Sequence, residues 1–334
     1  MPTISDVAKL ANVSTATVSR VLSHSGNVKK ETAERVLEAI QKLNYQPNLL
    51  ARQLRKMESK TILVVVPDIS NTFFSKVLRG IEQVAIEHDY EVILGDTGNS
   101  LEREEGYLDI LRKKKADGMI LLTARLERRL LEEFAGEFPV VLACEYLEGS
   151  KIPTVSIDNI SGARKATEYL IRLGHRRIAF ISGPLNVILS RDRLKGFHQA
   201  LEQHEIPLES CFVQEGDFSF ESGYHMMMKF LALEQPPTAV FAANDEMAIG
   251  AIKAIKSQGL HVPNDISVIG FDDLKFASIY EPALTTISQP MYEIGKKAME
   301  LLIEIINKKS LEKNQYILED RLVIRDTCKE YIQK

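Results

Sequence analysis

The stretch that decides the fold is residues 3–22: Thr3-Ile4-Ser5-Asp6-Val7-Ala8-Lys9-Leu10-Ala11-Asn12-Val13-Ser14-Thr15-Ala16-Thr17-Val18-Ser19-Arg20-Val21-Leu22. Thr3 and Asp6 stand three apart and fit a capping box, in which hydroxyl and carboxylate satisfy each other's backbone amides. This predicts a helix to about Leu10. Ala11-Asn12-Val13 reads as a turn. Ser14 is a good N-cap for a second helix to about Leu22, with Val18, Val21 and Leu22 on one face and small, polar or basic residues on the other. Ser25-Gly26-Asn27 breaks the chain. A third helix is predicted over Glu31–Leu43, with Val36, Leu37, Ile40 and Leu43 at helical spacing and Asn44 at its end. Two short helices around a tight turn, braced by a third, make a helix-turn-helix unit. In such a unit the second helix enters the major groove of DNA. Thr15, Ala16 and Arg20 then face base edges, the guanidinium being suited to guanine, while the hydroxyls of Ser14 and Thr17 suit phosphate.

Working outward, the charge distribution agrees. Residues 1–60 hold six Lys and four Arg against one Asp and four Glu, a net +5. The whole chain of 334 residues carries −4, so the remainder carries −9. A basic head on an acidic body is expected when only the head touches phosphate. Pro47 ends the head, and Asn48 can cap one further short helix, Leu49–Leu54, which is too short to persist alone. Residues 56–60 are polar and read as linker.

From Thr61 the pattern changes. Thr61–Pro67 (TILVVVP) is a continuous apolar run, as a strand covered on both faces requires. Phe73–His88 is an amphipathic helix, followed by strand Glu91–Gly95, helix Leu101–Lys114 and strands Gly118–Leu122 and Val140–Cys144. After Asp158 the scheme restarts. Helices are predicted over Ile160–Leu173, Arg193–His204, Glu221–Leu231 and Met247–Gln258. Strands are predicted over Ile178–Ser182, Phe212–Gln214, Ala239–Ala243 and Ile266–Phe271. Two consecutive βα arrays imply an α/β body of two doubly wound parallel-sheet lobes with a cleft between them.

Other classes are disfavoured. The composition, 45% hydrophobic and 26% charged, is that of a globular chain. No apolar run approaches a membrane span, and the N-terminus carries no secretory h-region. Cys144, Cys211 and Cys328 are far apart, without metal-ligand spacing, and read as free thiols of a cytoplasmic protein. GxGxxG, GxxxxGK[ST], HExxH and GxSxG are all missing. The seven His are scattered; His204-Glu205 runs into Ile-Pro, and His175 leads into a strand. No catalytic residue, cofactor or metal is expected.

The motif Ile4-x-Asp6-Val7-Ala8-x-x-Ala11-x-Val13-Ser14-x-x-Thr17-Val18-Ser19-Arg20-Val21 strongly resembles the opening of the lactose-repressor/galactose-repressor family of bacterial transcription regulators. So does Asn44-Tyr45-x-Pro47-Asn48-x-x-Ala51-Arg52-x-Leu54. Further stretches resemble it to nearly the C-terminus: residues 67–74, Leu173-Gly174-His175-Arg176-Arg177-Ile178, Arg193-Leu194-x-Gly196-Phe197, residues 237–241, Ile269-Gly270-Phe271-Asp272 and Leu284-Thr285-Thr286-Ile287. Gly216-Asp217-Phe218-x-Phe220-Glu221 and Gln289-Pro290-x-Tyr292-Glu293-Ile294-Gly295 are most similar to the cytidine-repressor branch.

The resemblance implies a helix-turn-helix domain over 1–46, a hinge helix and linker over 47–59, and a body over 60–334 like periplasmic sugar-binding proteins. Lobe 1 would take about 60–158 and 290–318, and lobe 2 about 159–289 and 319–330. The three crossings between lobes then fall near Asp158–Ile160, Ser288–Pro290 and Leu318–Asp320. It implies a homodimer on a palindromic double-stranded operator, with further DNA contacts from Tyr45, Asn48, Ala51, Leu54 and Arg55. Leu54 matches the position that wedges into the minor groove. Phe73, Asp158, Arg193, Phe218, Asn244, Asp245 and Asp272 match positions that hold a small-molecule effector. Two aromatics, carboxylates and an arginine suit a flat ring or sugar face with vicinal hydroxyls. Val187 and Leu189 depart from the purine-repressor pattern, so the expected effector is a pyrimidine nucleoside, the alternative being a sugar or sugar phosphate. A ligand-binding module without DNA function and a doubly wound enzyme are the readings from other classes.

Overall fold

The computed structural model describes residues 2–22, 28–45 and 58–332. They fall into two units, residues 1–58 and 59–334. In the first, α1 spans Ile4–Ala11, α2 Thr15–Leu22 and α3 Lys30–Leu43. The capping box forms as its residues require: Thr3 Oγ1 accepts from the Asp6 amide, and the Asp6 carboxylate accepts from the Thr3 amide at 2.8 Å. Asn12 and Asn44 close α1 and α3 in the left-handed conformation that asparagine tolerates. Val7, Ala8, Ala11, Val18, Val21, Val36 and Ala39 form the core of this unit. Leu37, expected on the buried face of α3, is half exposed. The stripe runs through Val36, Ala39, Ile40 and Leu43, and Leu37 lies about 100° round the helix from Val36.

In the second unit the chain alternates strand and helix. The elements are β1 Thr61–Val66, α4 Thr72–Glu87, β2 Glu91–Asp96, α5 Leu101–Arg112, β3 Gly118–Leu121, α6 Arg128–Glu137, β4 Val140–Ala143 and β5 Thr154–Ile157. There follow α7 Asn159–Arg172, β6 Ile178–Ser182, α8 Ile188–Gln203, β7 Val213–Glu215, α9 Phe220–Leu231, β8 Ala239–Ala242, α10 Asp245–Ser257 and β9 Ser267–Asp272. The chain ends with β10 Thr285–Ser288, α11 Met291–Ile306, β11 Gln315–Leu318 and β12 Arg321–Val323. Two six-stranded sheets result, in orders β11-β5-β4-β3-β1-β2 and β12-β10-β9-β8-β6-β7. All pairings are parallel except β10 with β12. Every residue of β1 is buried, as its unbroken apolar run demands.

The chain passes from the first sheet to the second between Ile157 and Asn159. It returns after Ser288, so that α11 packs on α4, and passes once more between Leu318 and Arg321. Glycine permits the α4–α11 contact: a Cβ at Gly295 would lie 1.9 Å from the Val77 carbonyl oxygen. Helix α6, strand β5 and everything beyond β9 were not separated from loop by periodicity. Helix α8 begins at Ile188, five residues before the predicted start, because its N-cap Val187 makes no side-chain cap that a sequence could display.

Candidate functional site

In the N-terminal unit, Ser14 caps α2: its hydroxyl accepts from the Thr17 amide at 3.1 Å and meets the Thr17 hydroxyl at 3.0 Å. Val18 and Val21 are buried, which turns Thr15, Ala16 and Arg20 to solvent while Thr17 is half-buried. Tyr45 packs partly buried against the unit's core. Asn48, Ala51, Leu54 and Arg55, with the predicted short helix around them, lie outside the described residues.

In the second unit a cavity of about 350 Å³ opens between the two sheets at the carboxyl ends of their strands. Phe73 and Phe74, at the start of α4, line it as an edge-to-face pair 5.2 Å apart. The Asn71 side chain caps α4 by accepting from the Phe73 amide and so fixes that entry. Phe218 comes from the second sheet's side and packs against Gly183, where a Cβ would collide with its ring at 2.1 Å. Three of the lining residues, Cys144, Phe218 and Asp272, hold φ of 71°, 71° and 116°. Such strain in residues other than glycine gathers where a site is being shaped.

The floor on the second sheet's side is ionic. Arg193 reaches the cavity from the second turn of α8, 4% exposed, with its guanidinium 3.8 Å above the Phe271 ring. Its Nε donates to Asn159 Oδ1 at 2.9 Å and its Nη1 to the Ala243 carbonyl. Asp272 lies 3.7 Å from Arg193 Nη2 and accepts from Gln289 Nε2 at 2.7 Å. Burial raises the Asp272 carboxyl to about 6 although Arg193 pulls it down, and burial also lowers Arg193. At 3.7 Å the ion pair is loose, and desolvation outweighs it.

The wall on the first sheet's side carries a second arginine. Arg125, in the loop after β3, donates to both oxygens of Glu145, in the loop after β4, at 2.6 and 3.3 Å. Glu104, 1% exposed on α5, holds the loop from behind by accepting from the amides of Arg125 and Leu126 at 3.1 and 3.2 Å. Burial raises both Glu104 and Glu145. Asp68, Asp217 and Glu246 complete the charged lining, so five carboxylates face two guanidiniums. Burial and then Asp68 raise Glu246.

Of the seven residues expected at a ligand site, Phe73, Arg193, Phe218, Asn244 and Asp272 come together on this cavity. Two do not line it. Asp158 is exposed, and its carboxylate caps α7 by accepting from the Ser161 amide at 3.0 Å. Asp245 is fully buried, accepting from the Thr286 hydroxyl at 2.6 Å and the Leu274 amide at 2.7 Å. Arg125, Glu145 and Gln289 line the cavity without having been anticipated. Arg125 and Glu145 follow parallel strands, and that rule alone would have found them. Among the described residues no acid, His and Cys group is arranged to hold a metal, and no helix is long and apolar enough to cross a membrane.

The family model of bacterial regulatory proteins of the lacI family matches residues 3–48. The model of periplasmic binding proteins and the sugar binding domain of the LacI family matches residues 59–326. The HTH-type transcriptional repressor CytR of Escherichia coli (strain K12) is 42% identical over 98% of this chain and 96% of its own length. Catabolite control protein A of Priestia megaterium is 38% identical over 98% of this chain and 99% of its own. Among solved structures, the Lac repressor dimer bound to operator and the anti-inducer ONPF superposes with a TM-score of 0.88 at 32% identity, covering 98% of this chain and 99% of that one. The chain belongs to the LacI family of bacterial regulatory proteins, and it is a helix-turn-helix transcription regulator, not an enzyme.

Proposed function

We propose that the protein is a cytoplasmic repressor that binds a palindromic operator as a homodimer and is controlled by a neutral, unphosphorylated nucleoside held in the cavity between its two sheets. Ser14, Thr15, Ala16, Thr17, Arg20 and Tyr45, with Asn48, Ala51, Leu54 and Arg55, would contact DNA; Phe73, Arg193, Phe218, Asn244 and Asp272 would hold the ligand. The observation that carries the ligand class is the lining itself. Aromatic rings beside a guanidinium–carboxylate–amide floor (Arg193, Asp272, Gln289) suit a ring joined to a polyol. Five carboxylates against two arginines, each arginine beside a carboxylate, oppose a phosphate. The same floor favours a free sugar as the second reading, since every group on it can pair with a hydroxyl.

A ligand can alter operator affinity only through different affinities for the two states of the repressor. The experiment is a thermal shift and operator gel shift of the full chain with cytidine, cytidine monophosphate, ribose and ribose phosphate. Cytidine should stabilise the protein and change operator binding, and its monophosphate should do neither. Stabilisation by a phosphorylated compound alone would overturn this reading. Operator binding itself should fall steeply with salt. Two heads that each neutralise about four to five phosphates give a slope of log K against log salt of about −7 to −9. A slope near −2 would remove the helix-turn-helix unit from the DNA contact.

A further inference from the structure

Three chain crossings join the two halves of the body, and side chains add to them. The loop after β4 carries, next to Glu145, a tyrosine that reaches away from its own sheet. Its hydroxyl, Tyr146 Oη, donates to Asp192 Oδ2 at 2.9 Å. Asp192 stands on α8, in the half built on the second sheet, next to Arg193. The bond therefore runs directly from one half to the other, and neither residue lines the cavity. A second tie runs from Lys76 Nζ on α4 to the Asp273 carbonyl at 3.3 Å. It is exposed, so water replaces it at little cost.

Both ends of the tyrosine bond are fixed. On one side Arg125 grips Glu145, and Glu104 holds the amides of Arg125 and Leu126. On the other, Asp192 and Arg193 lie in the second turn of a helix packed along α7. Asp192 is 9% exposed, and burial raises its carboxyl although the Tyr146 bond pulls it down. Burial, and then Asp192, raise the Tyr146 phenol, which therefore stays protonated and donates. When the halves separate, the carboxylate regains water as it loses the phenol. The bond thus favours the joined arrangement by a small margin, as a switchable contact must.

We propose that the hydrogen bond from Tyr146 to Asp192 is a latch that sets the balance between two arrangements of the halves in the ligand-free protein. It acts from outside the cavity, so this set point is separable from any contact made to a ligand. Apparent ligand affinity scales with the fraction of protein in the competent arrangement. The latch thereby fixes how much ligand is needed to move the repressor. That consequence rests on the ligand control proposed above; the latch itself does not. Tyr146 and Asp192 are positioning residues, acting through the equilibrium between the halves.

The test is amide hydrogen exchange on the full ligand-free chain, read segment by segment. Tyr146→Phe removes one oxygen and the bond with it. Residues 67–75 and 215–220 contribute to the cavity from its two sides and bond to neither member of the pair. Exchange there should rise by about 10-fold, the scale of one hydrogen bond to a charged group. Asp192→Ala should do the same, and the double variant should go no further than either, as one shared bond requires. Asp192→Asn, which keeps an acceptor for the phenol, should restore most of the protection. Should Asp192→Ala not fold, Tyr146→Phe decides alone. Exchange that rises only at residues 144–152 and 188–195 makes the bond a local brace and overturns the proposal. So does unchanged exchange in Tyr146→Phe, and so does a double variant whose effect is the product of the two single ones. If neither cytidine nor ribose stabilises the protein while the expected exchange pattern holds, the ligand reading fails and the latch stands.

Discussion

The two walls of the cavity are built from the same parts and use them differently. Each has one arginine and two carboxylates: Arg125 with Glu104 and Glu145 on the first sheet's side, Arg193 with Asp245 and Asp272 on the second. On the first, the guanidinium grips its partner at 2.6 Å, is partly open to solvent, and sits on a loop tied down through backbone amides. On the second, the guanidinium is sealed on a helix above the Phe271 ring, and its carboxylate stands off at 3.7 Å. A pair that is already closed keeps its geometry whether or not a ligand is present. A pair that is loose and desolvated is poised to gain when a ligand's hydroxyls fill the gap. Ligand affinity should therefore depend more on the second sheet's side than on the first.

Truncating the second arginine breaks this comparison most severely. Arg193→Ala removes the stacked guanidinium and strands Asp272 in a buried site. Ligand affinity should fall by about 100-fold or more, the usual loss when one partner of a buried charge pair is removed from an interface. Stability should fall by about 3–5 kcal/mol for the same reason. Arg193→Lys separates the two effects: it restores charge, and with it most of the stability, without the planar fork that stacks and spans. Unchanged ligand affinity in a folded Arg193→Ala protein, measured by calorimetry, would take Arg193 out of the site and reverse the assignment of the walls.

On the first sheet's side the corresponding lever is Glu104, which never meets the cavity. Glu104→Ala leaves the amides of Arg125 and Leu126 without an acceptor, at about 1–3 kcal/mol for each buried donor. Glu104→Gln keeps an acceptor and discards a buried charge whose proton affinity burial has already raised. It should change stability by no more than about 1 kcal/mol. Chemical denaturation of the two variants checks this. Equal losses would mean that the charge of Glu104 holds the loop, not its lone pairs.

What the sequence displayed of these walls follows from where each residue sits. Thr3, Asp6 and Ser14 were legible because caps are local, and β1 because a strand buried on both faces is apolar without interruption. Phe73, Phe218 and Asp272 were reached through the resemblance and their places after strands. Asp158 and Asp245 occupy similar places, but one caps a helix and the other is buried beneath the floor; only side-chain direction tells them apart. Arg125 and Glu145 pair across twenty residues of sequence through loops after neighbouring strands. No periodicity carries a pairing made by sheet order. The elements after β9 escaped for a related reason: α11 and β11 rejoin the first sheet and β12 returns to the second, a topology that local pattern does not encode.

The smallest effect is also the most direct test of the loose pair. Asp272 has its folded pKa raised from 3.8 to about 6 by burial, against the pull of Arg193. A carboxyl raised in the folded state contributes stability that is fully present below the unfolded value of about 4 and is lost as pH rises through about 6. Linkage across that window gives about 1 kcal/mol of stability gained by this group between pH 7 and pH 5. The total need not rise, because His175 works in the opposite sense. Burial lowers its pKa from 6.5 to about 4, so its contribution is lost as pH falls below 6.5. Glu104, Glu145 and Asp245, all raised by burial, act in the direction of Asp272. The informative quantity is thus the difference between wild type and Asp272→Asn, in which Glu104 and His175 largely cancel, while Asp245, raised in part by Asp272, belongs to that difference. Denaturant titrations of the ligand-free protein at pH 7 and pH 5 should show wild type gaining about 1 kcal/mol on the variant as pH falls. A difference that stays flat would mean that Arg193 offsets the burial of Asp272 across the 3.7 Å gap, and the pair would not be loose.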